Sequence, residues 1–107
     1  MKMMHNTALM AVCGLALSAA GARAAPPLDA MNTAGCMACH TPDKKLVGPS
    51  FKDIAAKYKG QDAIAKLMDK VRKGGSGVYG PVPMAPNPPD KISDADLKAS
   101  IEFILKS

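Results

Sequence analysis

Five consecutive residues, Cys36-Met37-Ala38-Cys39-His40, constrain this chain more than any other feature of its sequence. Two residues between the cysteines allow one turn of chain to bring both thiols to the two vinyl groups of a haem. The histidine that follows directly can then reach the iron from the same side. The motif therefore predicts one covalently attached c-type haem, around which the rest of the chain has to fold.

The first 24 residues have the pattern of a removable leader. Lys2 precedes an apolar run of 13 residues from 8 to 20, and Ala22-Arg23-Ala24 follows as a small-x-small cleavage site, which is the order of a secretory signal peptide. A membrane-spanning helix needs about 20 apolar residues, so the run is too short for an anchor. We predict that residues 1–24 are removed and that residues 25–107 form a periplasmic domain without stable membrane insertion.

Three other uses of the cysteine motif fit this sequence less well. A thioredoxin-like redox site needs a preceding strand and a βαβ setting, and no stretch of this sequence indicates them. A structural zinc site needs about four ligands, whereas the chain beyond the leader offers Cys36, Cys39 and His40. A disulfide between the two cysteines stays open as an alternative in an oxidising compartment. Export favours haem attachment, because that reaction takes place outside the cytoplasm.

The composition of the predicted mature chain excludes one class of partner and favours a cofactor. Removing 24 of the 107 residues leaves 83, and losing Lys2 and Arg23 leaves 12 basic residues against 9 acidic ones, a formal charge of +3. This charge is too small for a nucleic-acid-binding domain. A domain of this size buries proportionally little surface, and with four aromatic residues and no tryptophan its own core is thin. A large flat apolar cofactor would complete it.

Hydrophobic periodicity beyond the leader predicts an all-α domain with four short helices and no strand. Ser50 followed by Asp53, and Ser93 followed by Asp96, have the pattern of helix N-caps. The helices are expected at 28–34, from Ser50 to Gly60, from near Asp62 to Gly74-Gly75, and from Ser93 onwards. The apolar stripes of the last three are Phe51, Ile54, Ala55 and Tyr58; Ile64, Leu67, Met68 and Val71; and Leu97, Ile101, Ile104 and Leu105.

Residues 74–89 form a long loop that supplies the candidate for the second iron ligand. Its 16 residues include four glycines and five prolines, which excludes helix and strand interiors. The predicted mature chain has no histidine besides that of the motif, so a second ligand would be a methionine. Met31 and Met37 lie on the attachment side, and Met68 fits an apolar helix stripe. Met84 stands between prolines in a stiff loop, so we predict it as the ligand; a plain proline-rich linker is the alternative.

Taken together, residues 28–106 resemble a small bacterial class I cytochrome c of the cytochrome c-551/c-552 kind. The resemblance rests on Gly35-Cys36-Met37-Ala38-Cys39-His40, on Val47-Gly48-Pro49 and on Gly77-Val78-Tyr79-Gly80-Pro81-Val82-Pro83-Met84-Ala85-Pro86-Asn87. It implies the class I cytochrome c fold, in which about four short helices wrap around one covalently bound haem and a long Pro/Gly-rich loop covers the distal side.

The resemblance also implies roles for residues around the haem. The Pro49 carbonyl would accept a hydrogen bond from the ring N–H of the axial histidine and orient it. Asn87 would donate a hydrogen bond to the sulfur of Met84. Lys70 occupies a position where a basic side chain often meets a haem propionate. Tyr79 stands where tryptophan is common, and its phenol would replace an indole N–H as a propionate donor.

The function implied is that of a periplasmic one-electron carrier, not an enzyme, with His40 and Met84 as axial ligands. Its respiratory partners would be redox proteins such as a nitrite reductase, a terminal oxidase or another periplasmic oxidoreductase, and a monomer is the default. The alternative is a haem-based sensor or peroxidase-like enzyme in which the methionine is displaced; a third interpretation is a subunit of a fixed complex. Four lysines could steer an acidic partner or form a solvated face: Lys44, Lys45, Lys52 and Lys57.

Overall fold

The computed structural model describes residues 25–107, so the predicted signal peptide, residues 1–24, lies outside the described part of the chain. The described residues form four α-helices and a 3₁₀ turn, and their extended pairing is limited to two isolated bridges. The elements are α1 (Pro27–Ala34), the 3₁₀ turn (Cys36–Ala38), α2 (Phe51–Lys57), α3 (Ile64–Lys73) and α4 (Asp94–Leu105). The predicted all-α class with four helices is confirmed.

The starts of three helices follow from their first residues. The hydroxyl of Ser50 accepts a hydrogen bond from the backbone N–H of Asp53 at 3.0 Å, and that of Ser93 accepts one from Asp96 at 3.1 Å. Each such cap contributes about 1 kcal/mol to helix stability, and both predicted caps are confirmed. Helix α1 begins at Pro27, a position where a missing N–H leaves no hydrogen bond unmade.

Helix α3 begins two residues later than expected. The sequence predicted a start near Asp62, but the N-cap position is occupied by Ala63 and no side chain caps the helix. A turn precedes the helix, in which the N–H of Gln61 donates to the carbonyl of Tyr58 at 3.0 Å. The regular helix therefore begins only at Ile64.

Helix α4 forms the centre of the fold, because each of the other three helices packs against it. Met31 of α1, Phe51 of α2 and Leu97 of α4 are among the most completely buried side chains. The rings of Phe51 and Phe103 meet edge to face, with centroids 6.5 Å apart. Ser100 is also buried, and its hydroxyl is satisfied because it donates a hydrogen bond to the carbonyl of Asp96 at 2.7 Å.

None of the helices in residues 25–107 is both long and apolar enough to cross a membrane. The longest, α4, has 12 residues. At a rise of about 1.5 Å per residue such a helix reaches roughly 18 Å, whereas the apolar part of a bilayer is about 30 Å thick.

Candidate functional site

One large cavity brings the predicted site residues together. Its volume is about 830 Å³, near the upper end of the roughly 300–1,000 Å³ found for cofactor pockets. Cys36, Cys39, His40 and Met84 all line it, although Met84 lies 44 residues beyond the histidine in the sequence. All four helices contribute apolar side chains to the remaining lining: Met31, Phe51, Ile54, Leu67, Val71, Leu97, Ile101 and Ile104.

The two cysteines are positioned by the 3₁₀ turn. Hydrophobic periodicity does not predict this turn, because three residues are too few to show a repeating apolar pattern. The N–H groups of Cys39 and His40 both donate to the carbonyl of Cys36, at 3.2 and 3.0 Å. Both thiols are free, so the alternative disulfide is not formed. Burial raises the pKa of the Cys36 thiol, against a smaller lowering by a backbone hydrogen bond and by Lys91. The thiol therefore keeps its proton at neutral pH. Each of the two cysteines would hold the haem by adding its sulfur and its hydrogen across one vinyl group.

The imidazole of His40 is held with one ring nitrogen free. Its Nδ1–H donates to the carbonyl of Pro49 at 2.8 Å, which is the hydrogen bond that the resemblance implied. This bond leaves Nε2 as the unprotonated nitrogen that can bind a metal. The ring also stacks against Phe51, with centroids 6.1 Å apart and 23° between the planes. The cavity thus receives an oriented imidazole.

Gly48 is a site residue whose role the sequence did not reveal. A Cβ atom placed on it would lie 2.5 Å from Cε1 of His40 and 3.0 Å from Nδ1, closer than real Cβ contacts allow. The backbone of Gly48 also donates to the carbonyl of Cys39 at 2.8 Å, which ties this loop to the attachment turn. A side chain here would push the imidazole away, so the glycine before Pro49 is needed for close approach.

Met84 is held by the glycines that follow α3. Its N–H donates to the carbonyl of Gly75 at 2.8 Å, and the N–H of Gly75 donates back to the Met84 carbonyl at 3.0 Å. Gly74 has a φ of +66°, and a Cβ on it would overlap the carbonyl oxygen of Met84. The sequence placed these glycines only as a helix end. In the structure they also hold the backbone of residues 84–87, called the methionine segment below.

Lys70 and Tyr79, the two predicted propionate contacts, both line the cavity. Tyr79 is 42% exposed, and the ammonium group of Lys57 lies 5.6 Å from the centre of its ring, within the range of a cation–π contact. The pKa of the Tyr79 phenol is raised, mainly by burial and to a smaller extent by electrostatic repulsion from Tyr58 and Asp53. It therefore stays protonated at neutral pH and can donate a hydrogen bond, as its predicted role requires.

Asn87 is buried beside the end of α3, and the residues that line the cavity do not include it. Its side-chain amide donates to the carbonyls of Val71 and Ala85, at 3.3 and 3.0 Å, and its backbone N–H donates to Val71 at 3.0 Å. Donation to the sulfur of Met84 stays a prediction. The contacts that the structure does contain fasten the methionine segment to helix α3.

The residues around the cavity fit a covalently bound haem. They supply two free thiols on one short turn, an imidazole with Nε2 available, a thioether from Met84 and a mainly apolar wall. Within residues 25–107, no cluster of three or more His, Cys, Asp or Glu side chains could hold a separate metal ion. This donor set does not provide the closed four-ligand shell of a structural zinc site.

Comparison with known proteins shows that the chain belongs to the cytochrome c family, whose model matches residues 28–107. Cytochrome c2 of Rubrivivax gelatinosus is 51% identical over 84 residues, which are 78% of this chain and 99% of that protein. Cytochrome c-551 of Azotobacter vinelandii is 51% identical over 74 residues, 68% of this chain and 87% of that one.

A solved structure agrees with these sequence matches. The crystal structure of Nitrosomonas europaea cytochrome c552 superimposes with a TM-score of 0.67 at 46% identity, covering 73% of this chain and 95% of that one. The predicted resemblance to a small class I cytochrome c and its fold is confirmed. The protein is a haem-binding electron carrier with a single covalent c-type haem and with redox proteins as partners, and it is not an enzyme.

Proposed function

We propose that this chain is a periplasmic one-electron carrier in which His40 and Met84 are the two axial ligands of the haem iron. The observation that carries the proposal is their placement. One cavity is lined by an imidazole whose Nδ1 is engaged by Pro49 and by a thioether whose backbone is held at Gly75. When bound, the haem supplies an iron that alternates between ferric and ferrous, and methionine ligation favours the ferrous state.

The protein side chains determine how that iron is held. Cys36 and Cys39 would hold the cofactor beside the imidazole of His40, and Pro49 keeps that imidazole in one tautomer and one orientation. The buried side chains of Met31, Phe51 and Leu97 give the cavity an apolar wall. Such a wall limits solvent access, which is one of the factors that set a reduction potential.

A redox titration of the purified holoprotein tests this function. We expect a single wave with a slope of about 59 mV per tenfold change in the oxidised-to-reduced ratio, as for one electron, and a far-red Met–iron band in the ferric form. The competing function is a sensor or peroxidase-like enzyme that releases Met84. Turnover of peroxide, or carbon monoxide binding by the native ferrous protein, would establish that competitor instead.

The position of Ala25 supports export with cleavage after Ala24. The backbone nitrogen of Ala25 lies 2.6 Å from Oδ1 of Asp96, in the first turn of α4. Cleavage would convert this nitrogen into an ammonium group, so the hydrogen bond would become an ion pair between the new chain end and α4. We propose on this basis that residues 1–24 are the signal peptide and 25–107 the periplasmic haem domain.

Substituting Asp96→Asn is expected to lower the free energy of unfolding of the mature protein by about 1–2 kcal/mol, because a charge-assisted hydrogen bond is lost. Urea unfolding measures this, and mass spectrometry first establishes that the chain begins at Ala25. The matched control is Asp29→Asn, which removes an acid from the first turn of α1. If both substitutions lower the free energy of unfolding equally, Asp96 stabilises the protein only through its favourable interaction with the dipole of α4 and not through Ala25.

The surroundings of the cavity support docking of an acidic redox partner there. Of the four lysines predicted to steer a partner, Lys45 lines the cavity and Lys57 lies over the ring of Tyr79. Exposed apolar side chains, Val47 and Val78, line the same cavity. We propose a nitrite reductase, a terminal oxidase or another periplasmic oxidoreductase as the partner class, bound transiently by a monomer.

A further inference from the structure

We propose that Arg72 is a positioning residue for Met84, and that it sets how long the methionine stays on the iron. The inference rests on the proposed His/Met ligation. Arg72 lies in the last turn of α3, and its side chain is 19% exposed, which is low for an arginine of a small domain. A guanidinium group that is mostly withdrawn from water needs partners for its donors.

Those partners come from two segments beyond α3. Nη1 donates to the carbonyls of Asn87 at 3.1 Å and Ile92 at 2.8 Å, and Nη2 pairs with the carboxylate of Asp94 at 2.5 Å. Asn87 lies near the end of the loop 74–89, Ile92 lies just beyond this loop, and Asp94 is the first residue of α4. The planar fork of arginine suits several fixed acceptors at once. Arg72 therefore joins α3, the loop and α4.

The contact with Asn87 carries this effect to the ligand. Asn87 is three residues beyond Met84, and its own N–H and side-chain amide donate to the carbonyl of Val71. At the other end of the segment, Met84 is paired with Gly75. Residues 84–87 are thus held at one end by Gly75, two residues beyond α3, and at the other end by Val71 within α3, with Arg72 supporting this second anchor. A thioether is a weak ligand, so its residence on iron depends on such anchoring.

Arg72 acts through the loop and not directly on the cofactor. Its neighbours Lys70, Val71 and Lys73 line the cavity, whereas the lining does not include Arg72. Lys98 provides the control, because it carries a positive charge on helix α4, its side chain is exposed and the cavity lining does not include it. Removing Lys98 removes one positive charge and leaves the loop contacts in place.

The test compares Arg72→Ala with Lys98→Ala in the ferric holoprotein. A saturating concentration of imidazole replaces Met84 at a rate set by methionine release, and the decay of the far-red band follows it. We expect release to be about tenfold faster in the Arg72 variant, as a loss of ~1.4 kcal/mol of anchoring would give. The Lys98 variant should stay within about twofold of the parent, because a surface substitution away from the loop contacts has little effect on stability.

Two further variants keep the outcome decisive if Arg72→Ala does not fold. Arg72→Lys retains the charge but not the fork, so release should still accelerate severalfold. Asp94→Asn leaves both carbonyl contacts and should change the rate less than Arg72→Lys. Equal release rates in Arg72→Lys and the parent would overturn the inference while His/Met ligation stands. A parent protein without any far-red band would instead overturn the ligation and, with it, the role of Arg72.

Discussion

Replacing Met84 with alanine is expected to abolish the far-red absorption band of the ferric protein and to let carbon monoxide bind to the ferrous protein. The substitution removes the one thioether that the loop brings to the cavity and opens an iron position. The reduction potential should fall by more than about 0.1 V, within the range of about 0.8 V over which axial ligands tune haem iron. Absorption spectroscopy and a redox titration measure both effects.

The control for this experiment is Met68→Ala on helix α3. Met68 is partly buried against the core, and the cavity lining does not include it. Its truncation should therefore lower stability by about 1 kcal/mol, less than for a fully buried methionine, and should leave the far-red band unchanged. A band that survives in Met84→Ala, or carbon monoxide that still fails to bind, would refute the assignment of Met84 as ligand.

Substituting Gly74→Ala is expected to lower the free energy of unfolding by about 3 kcal/mol and to weaken the far-red band at the same time. Gly74 has a φ of +66° and a ψ of −155°, a backbone region that essentially only glycine adopts and that costs a residue with a side chain about 1–3 kcal/mol. The added Cβ would also overlap the Met84 carbonyl oxygen and lie 2.9 Å from backbone atoms of Ala85 and Pro86. Because these neighbours are backbone, relief requires moving the loop; such overpacking costs about 1–3 kcal/mol.

Gly60→Ala is the control that separates the cost of a positive φ from the cost of overlap between the added Cβ and the loop. Gly60 has a similar φ of +75°, but a Cβ on it would have no neighbour within 4 Å. We expect only the backbone cost of about 1 kcal/mol, with the far-red band intact. Denaturant unfolding followed by circular dichroism, together with the absorption spectrum of each variant, makes the comparison. Similar losses in both variants, with both bands retained, would show that Gly74 does not hold the methionine segment.

The sequence predicted the helices best where local chemistry defines their ends. Ser50 lies directly before the first residue of an apolar stripe and Ser93 four residues before another, and each serine caps its helix as expected. The start of α3 was less predictable, because Asp62 has the type of a capping residue but the turn formed by Gln61 and Tyr58 shifts the helix to Ile64. Hydrogen bonds of a turn depend on backbone geometry that residue types do not define.

The candidate site divides in the same way. Cys36, Cys39 and His40 were predictable because their chemistry depends on spacing within five residues. Met84 followed from the lack of another suitable ligand in a stiff loop. The roles of Gly48 and Arg72 were not predictable, since one depends on the gap beneath an imidazole and the other on acceptors 15 to 22 residues away. Such roles exist only after tertiary structure has formed.

The distribution of the donors along the chain also has a consequence for the order of folding. Both thiols and the imidazole lie within five consecutive residues, so an unfolded chain can present them together. Met84 lies 44 residues beyond His40 and closes a loop that only the folded chain maintains. The chain can therefore present its haem-attachment residues before the native topology exists, whereas the proposed axial bond to Met84 would need the long-range contacts that hold the loop. The optical signature of that proposed bond would consequently report completion of the native state.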